Sequence, residues 1–325
     1  MRIQTISAVV LLTASAALAD ATIDQKTQFH FTGALGTMIN VFSRGAREGV
    51  TSTEVVKGNR KLRRTESSGE LIDLDQEKIY TIDYDRKSYS VKTFADLRRE
   101  WEQQQERAKK NAERSKAQKS EGPEYQVDFA VKSAGHKEEI NGWNTHEELV
   151  TITVHEKGKK LEKSGGFVLT SDLWMGPKVA AMRELADFER RFVQKAYGPA
   201  FNADMRAMAM AVAMTPAFGE AMKTFYEHRA NFEGTPIRTR MTFETVTGTD
   251  QPKESADKDE SQSAPAAVIG GLFNKMKQRR EEKKSDEPTD PNRSQLFDST
   301  VDVLKATTSA SEADVSIPTG FKLKS

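Results

Sequence analysis

The 325-residue chain contains no cysteine. Disulfides, thiol nucleophiles, cysteine-ligated zinc, iron–sulfur clusters and a lipid-modified N-terminal cysteine are all excluded. An excess of one charge is also missing. Lys and Arg number 49 against 48 Asp and Glu, a formal +1. That balance argues against a whole-molecule basic footprint, so no nucleic-acid partner is expected. Histidine is sparse: His30, His136, His146, His155 and His228. No pair of them has the HExxH arrangement or the spacing of a metal clamp. GxSxG and SxxK nucleophile motifs are absent. Gly33-Ala-Leu-Gly36 lacks the third glycine and the lysine of the standard phosphate loops. These absences lead to the expectation of a non-enzyme that holds no metal and no cofactor.

Long apolar runs are scarce too. The one notable run is N-terminal, within residues 1–19, MRIQTISAVVLLTASAALA. Arg2 supplies a basic start, Ile6 to Leu12 is mostly apolar, and Ala17-Leu18-Ala19 fits small-x-small cleavage. The run is short of the roughly 20 residues needed to span a bilayer. It reads as a cleaved export signal, with Asp20 opening a mature chain of periplasmic or secreted location. Removing Arg2 with it leaves 48 positive and 48 negative residues.

What the chain does contain is period-two alternation. Gly69 to Phe94 places Ile72 with Leu74, then Tyr80, Ile82 and Tyr84, then Tyr89 and Val91, each set on one face of its strand. Polar turns separate them, so the segment predicts a β-meander with one face buried. Asp73/Asp75 and Asp83/Asp85 sit at those turns, where Asp bonds the local backbone. Calcium would need a longer ligand ladder with a central glycine. Gln28 to Phe31 alternates, as do Val127, Phe129 and Val131, then Val150, Ile152 and Val154, then Phe167 and Leu169. His155 falls opposite Ile152 and Val154 and reads as a wet position. Asn141-Gly142 and Lys157-Gly158 are turn signals. Met241 and Phe243 share a face of a strand at Ile237–Thr247. Further strands are expected at Leu296–Leu304 and near Val315–Leu323.

Two stretches switch to helical spacing. Residues 95–120 carry an apolar stripe that ends at Leu97 and Trp101 and are polar beyond it. Residues 177–233 carry Val179, Met182, Leu185, Phe188, Phe192 and Val193 three or four apart. They continue into a methionine-rich piece with Met205, Met208, Met210 and Met214. Methionine suits both an ordinary core and a surface that meets varied apolar ligands.

Residues 249–295 are poor in large apolar residues and rich in charge, Ser and Pro, a disordered composition. Within them, the segment 264–284 begins APAAVIGGLF. Six positive residues follow (Lys275, Lys277, Arg279, Arg280, Lys283, Lys284), against Glu281 and Glu282. Phe273, Lys275, Lys277, Arg279 and Arg280 are candidates for contact with an anionic membrane surface or a partner. The same pattern also fits a plain loop, because Gly270-Gly271 weakens a helix.

The string Gly69 to Phe94 resembles an exported bacterial family of unknown function. Ile140-Asn-Gly-Trp143, Ser171-Asp-Leu-Trp174 with Pro177, Phe232-Glu-Gly-Thr-Pro236 and Ile317-Pro-Thr-Gly-Phe-Lys322 are similar to it as well. That family resembles, in architecture, the LolA/LolB-like lipoprotein-carrier half-barrels. Those are incomplete antiparallel barrels whose concave face, covered by helices, holds acyl chains of lipoproteins. The resemblance implies no reaction and no assigned ligand residues.

Helices falling late and together between strands indicate α+β with a mainly antiparallel sheet. The expected fold is a curved sheet or incomplete β-barrel with helices from 177–233 on its concave face. One domain would comprise residues 20–248 plus 296–325, with its last strands pairing near Ile237–Thr247. The expected function is binding of an acyl chain or lipidated protein between sheet and helices. Tyr80, Ile82, Tyr84, Val150, Ile152, Val154, Met208 and Met210 are the lining candidates, and plain core is their other reading. The alternative function is a non-enzymatic structural or interaction protein of the envelope without a small ligand.

Overall fold

The computed structural model describes residues 20–32, 48–117, 124–198, 233–250 and 292–324. Among the described residues, twelve strands form a single sheet. They are β1 (Ala21–Phe31), β2 (Val50–Lys57), β3 (Arg60–Arg64), β4 (Ser68–Asp73), β5 (Lys78–Asp83) and β6 (Ser88–Thr93). After these come β7 (Tyr125–Ile140), β8 (Trp143–Glu156), β9 (Gly166–Gly176), β10 (Thr235–Val246), β11 (Arg293–Thr307) and β12 (Lys322–Leu323). The helices lying wholly among the described residues are α1 (Phe94–Ala117), α2 (Leu161–Ser164) and α3 (Ala180–Tyr197).

The sheet order is β12-β6-β5-β4-β3-β2-β1-β11-β10-β9-β8-β7. Two sequential meanders, β1–β6 and β7–β10, are thus joined by β11, which pairs with β1 on one side and β10 on the other. All pairings are antiparallel except the short β12–β6 contact. The sheet is open, with β12 and β7 at its edges, and is not closed into a barrel.

The hairpins follow from local chemistry. Asp73 accepts the Gln76 N–H and Asp83 accepts the Arg86 N–H, each at 2.9 Å. Four residues after each Asp, Glu77 and Lys87 take positive φ of 52° and 46°. The acidic pairs are therefore turn formers, as their placement predicted. Asn141 and Gly142 both take positive φ, 51° and 85°, at the β7–β8 turn, the geometry that Asn-Gly supplies at low cost.

Helix α1 begins with a reciprocal cap. Thr93 Oγ1 accepts the Asp96 N–H, and the Asp96 carboxylate accepts the Thr93 N–H. Its Phe94, Leu97 and Trp101 join Ala181, Phe188, Phe192, Val193 and Ala196 of α3. Together they cover Ala21, Ile23, Val56, Ile72, Leu74 and Val303 of the sheet. Phe94 and Phe192 meet edge to face, 5.4 Å between centroids. A buried Lys61 on β3 pairs with Glu189 of α3. Arg191 donates to Asn59 Oδ1 and to the Gly58 carbonyl in the β2–β3 turn.

The other side of this half is closed by the C-terminus. Val315, fully buried, ends a 3-10 turn at Glu312–Val315 and packs on Val55, Leu62, Leu71 and Ile82. This corrects the expectation of a strand near Val315–Leu323 beside Ile237–Thr247. Only Lys322 and Leu323 are extended, and they pair with Ser88 and Tyr89 at the far edge. Burial of Val315, Ile317 and Phe321 against the meander decides their place. By contrast, the strand expected at Leu296–Leu304 does join β10. It begins at Arg293, inside the stretch read as low in structure.

The helical reading holds for α1 and α3. Helix α3 contacts β1, β2 and β11. The rest of the 177–233 helical stretch, from 199 to 232, lies outside the described residues, as do the leader 1–19 and the segment 264–284.

Candidate apolar ligand face

Side chains directly opposite in paired strands point to the same side of a sheet. Phe31 pairs with Phe297, Phe297 with Phe243, Phe243 with Leu169, Leu169 with Ile152, and Ile152 with Phe129. One apolar row therefore crosses six strands, β1-β11-β10-β9-β8-β7. At about 4.8 Å per strand it runs for about 24 Å. The rings touch along it: Phe31–Phe297 at 6.0 Å, Phe243–Phe297 at 5.8 Å, and Phe167 stacked on Phe243 at 5.7 Å.

The adjacent row reads Phe29, Ser299, Met241, Ser171, Val150 and Val131 in the same register. On the other flank, Phe167, Val154 and Val127 are successive partners. Among the described residues, the clusters built on this region, around Ile152, Val154 and Leu169 and around Val150, Leu173 and Met175, are made of strand residues, and these six are all buried. Phe29 and Val131, at opposite ends of their row, are 42% and 45% exposed. Ala21 and Ile23 share the side of β1 that carries Phe29 and Phe31, by strand alternation. The helix-covered core and this aromatic face are thus two parts of one sheet surface.

The reverse side of the same strands is charged. Lys26, Asp302, Arg238, Trp174 and Glu147 form one row, and Gln28, Thr300, Arg240, Asp172 and Leu149 the next. Arg238 bonds Asp302 at 2.5 Å, His30 bonds Asp298 at 3.1 Å, and Arg240 lies 3.8 Å from Asp172. Burial pushes the Asp172 carboxyl up, and Glu147 adds to this by charge and hydrogen bond, while Arg240 opposes it. A charged side and an aromatic side on one sheet give the face its polarity: water and ions on one, apolar matter on the other.

Ser171 interrupts the aromatic face. Its hydroxyl is buried and has no hydrogen-bond partner among the described residues. Its cross-strand neighbours are Val150 and Met241.

The structure separates the lining candidates. Val150, Ile152 and Val154 lie together on the aromatic face. Tyr80, Ile82 and Tyr84 do not. They pack on the opposite side of the sheet, under the C-terminal segment, with Ile82 1% exposed. Leu71, on their side, and Ile72, on the helix side, are consecutive in β4, which assigns the two faces. Met208, Met210, Phe273, Lys275, Lys277, Arg279 and Arg280 lie outside the described residues.

His155 corrects its wet reading. It lies opposite Val154 as expected, yet it is buried, with Nε2 bonded to Asp128 Oδ2 at 2.7 Å and Nδ1 3.1 Å from the Glu156 carbonyl. Burial opposes its protonation, but the Asp128 and Glu156 bonds outweigh that and raise the imidazole above its ordinary value. Hydrogen bonds from Gln126 and then His155 lower Asp128.

Strand-by-strand reading places Phe31, Phe129 and Phe243 in alternating segments, but it does not group them, or Phe297, with the lining candidates. Each was a phenylalanine near the middle or end of an alternating segment. That shared feature was the available signal.

Among the described residues no group of His, Asp and Glu is placed to hold a metal ion. No described helix is long and apolar enough to cross a membrane. A shallow groove lies among Asn59, Leu74, Asp75, Arg191, Gln194 and Lys195, beside the C-terminal half of α3. No protein-family model matches the chain, and no curated protein matches it.

Proposed function

We propose that this chain binds an acyl chain, free or carried by a lipidated protein, along the aromatic face of β7–β11 and β1. The observation that carries this is the unbroken row Phe31–Phe297–Phe243–Leu169–Ile152–Phe129. Its length of about 24 Å exceeds half of a bilayer core of about 30 Å, so one extended acyl chain fits along it. Burial is the driving force, at about 0.8 kcal/mol per methylene. Phenylalanine and Met241 supply rigid and adaptable apolar contact respectively.

This carrier is non-catalytic and exported, in keeping with the leader-like residues 1–19 and the missing nucleophile motifs. The resemblance to the LolA/LolB-like half-barrels, whose concave face holds acyl chains, supports the same reading. The β1–β6 half serves as the frame, since it is filled on both sides by its own chain.

Native mass spectrometry after incubation with palmitate tests the proposal. A retained mass of one fatty acid is expected, lost in Phe243→Glu but kept in Tyr80→Glu. Bare protein at every palmitate concentration would overturn it.

A further inference from the structure

The outer edge of β7 is unpaired among the described residues, because β7 ends the sheet. It is a long edge of 16 residues, Tyr125–Ile140. Natural edges are protected against pairing by bulges and charges. Here the protection is uneven. The bulge falls between Ser133 and Lys137, with Gly135 at φ 74° and Lys137, Glu138 and Glu139 adjoining it. The first half, Tyr125 to Lys132, is regular, β-prone and carries only two charges, Asp128 and Lys132. It also carries exposed Tyr125 (48%) and Val131 (45%).

We propose that this half-strand pairs with the same strand of a second copy of the chain, antiparallel and centred on Ala130. In that register Asp128 of each copy faces Lys132 of the other. Phe129 of each faces Val131 of the other. The two-fold axis makes both matches occur twice, as an isologous interface requires. Opposite charges and an aromatic–β-branched pair are the favourable cross-strand combinations. Registers shifted by one residue place Asp128 or Lys132 against apolar or uncharged partners. Charge complementarity therefore selects a second copy, rather than an unrelated strand, as the occupant. Phe129 and Val131 lie on the aromatic face, so the pairing joins the faces of the two copies into one surface across a common sheet. This inference does not depend on acyl binding. A single strand-to-strand contact buries less than a standard interface, so the dimer is a weak one of micromolar order.

Sedimentation equilibrium of the full chain over a wide concentration range tests it. The wild type is expected to follow a reversible monomer–dimer equilibrium. Lys132→Glu and Asp128→Lys, each alone, place like charges in apposition and should weaken dimerisation about tenfold or more. An equimolar mixture of the two should dimerise again, because each heterologous contact is once more Asp or Glu against Lys. Circular dichroism of each variant checks that the sheet is kept. Lys132→Glu is solvent-facing, so it remains informative if Asp128→Lys disturbs His155. A wild type that stays monomeric at all concentrations overturns the proposal. So does a dimer indifferent to Lys132→Glu, and so does a mixture that fails to re-associate.

Discussion

The rings of Phe167 on β9 and Phe243 on β10 lie stacked, 5.7 Å between centroids and 8° between planes. Neither residue is fully buried, and among the described residues their cluster is made of strand residues. A part-exposed stacked pair contributes less to the core than a fully buried one, and the proposed acyl site uses its ring faces. Phe243→Ala should therefore cost only about 1–2 kcal/mol in urea unfolding, less than a fully buried Phe. Displacement of a fluorescent fatty acid should fall far more than stability does. Equal losses in both assays would assign Phe243 to the core alone.

Lys61 and Glu189 hold α3 to β3. The Lys61 side chain is 8% exposed and that of Glu189 39%. Removing the carboxylate strands a buried ammonium, so Glu189→Ala should destabilise by about 2–3 kcal/mol. Lys61→Met in the Glu189→Ala background should recover most of that loss, since an apolar residue of similar length tolerates burial. Urea midpoints of the two single variants and the double variant close the cycle.

The His155–Asp128 pair makes stability depend on pH in a defined sense. His155 is raised in the folded state. Its contribution is fully present below its ordinary value near 6.5 and is lost as pH rises through the raised value. Asp128 is lowered. Its contribution is present above the ordinary carboxylate value and is lost as pH falls through the lowered one. The pair therefore stabilises most between about pH 4 and 6.5. Asp128 is half exposed, so screening holds the effect below about 1 kcal/mol. His155→Gln should narrow its gap from wild type when urea midpoints are compared at pH 5.5 and pH 9. A gap that widens toward pH 9 would contradict this.

The C-terminal segment seals Val55, Leu62, Leu71 and Ile82 through a fully buried Val315. Val315→Ala should cost about 2 kcal/mol through the cavity it leaves. Truncation after Thr307 should expose that apolar cluster and raise binding of a hydrophobic dye. Dye binding unchanged from wild type would show that the segment is dispensable.

Local chemistry was readable along the chain. Period-two spacing marked β4 to β6 and β7 to β9, Asp73 and Asp83 marked turns, and the stripe ending at Trp101 marked how far α1 packs. Alternation also grouped Val150, Ile152 and Val154 correctly on one face of β8. It could not relate that face to the one carrying Tyr80, Ile82 and Tyr84, because a strand's two faces become inside and outside only after pairing. His155 was misread for the same reason. Alternation places it opposite an apolar row, and Asp128 on the neighbouring strand makes that side a buried bonded site.

The sequence by itself determined most of the extended segments, the turns at Asp73, Asp83 and Asn141-Gly142, and the apolar faces of α1 and α3. These depend on contacts a few residues apart, through backbone geometry and side-chain period. Only the tertiary structure decided that β11, expected beside β10, also pairs with β1 and so brings Phe31, Phe297 and Phe243 into one row. It also decided that Val315 seals the opposite side. Strand neighbours are selected by hydrogen-bond pairing and burial between segments hundreds of residues apart. Closing so long a loop costs little more than closing a short one, so chain distance carries almost no information about the partner.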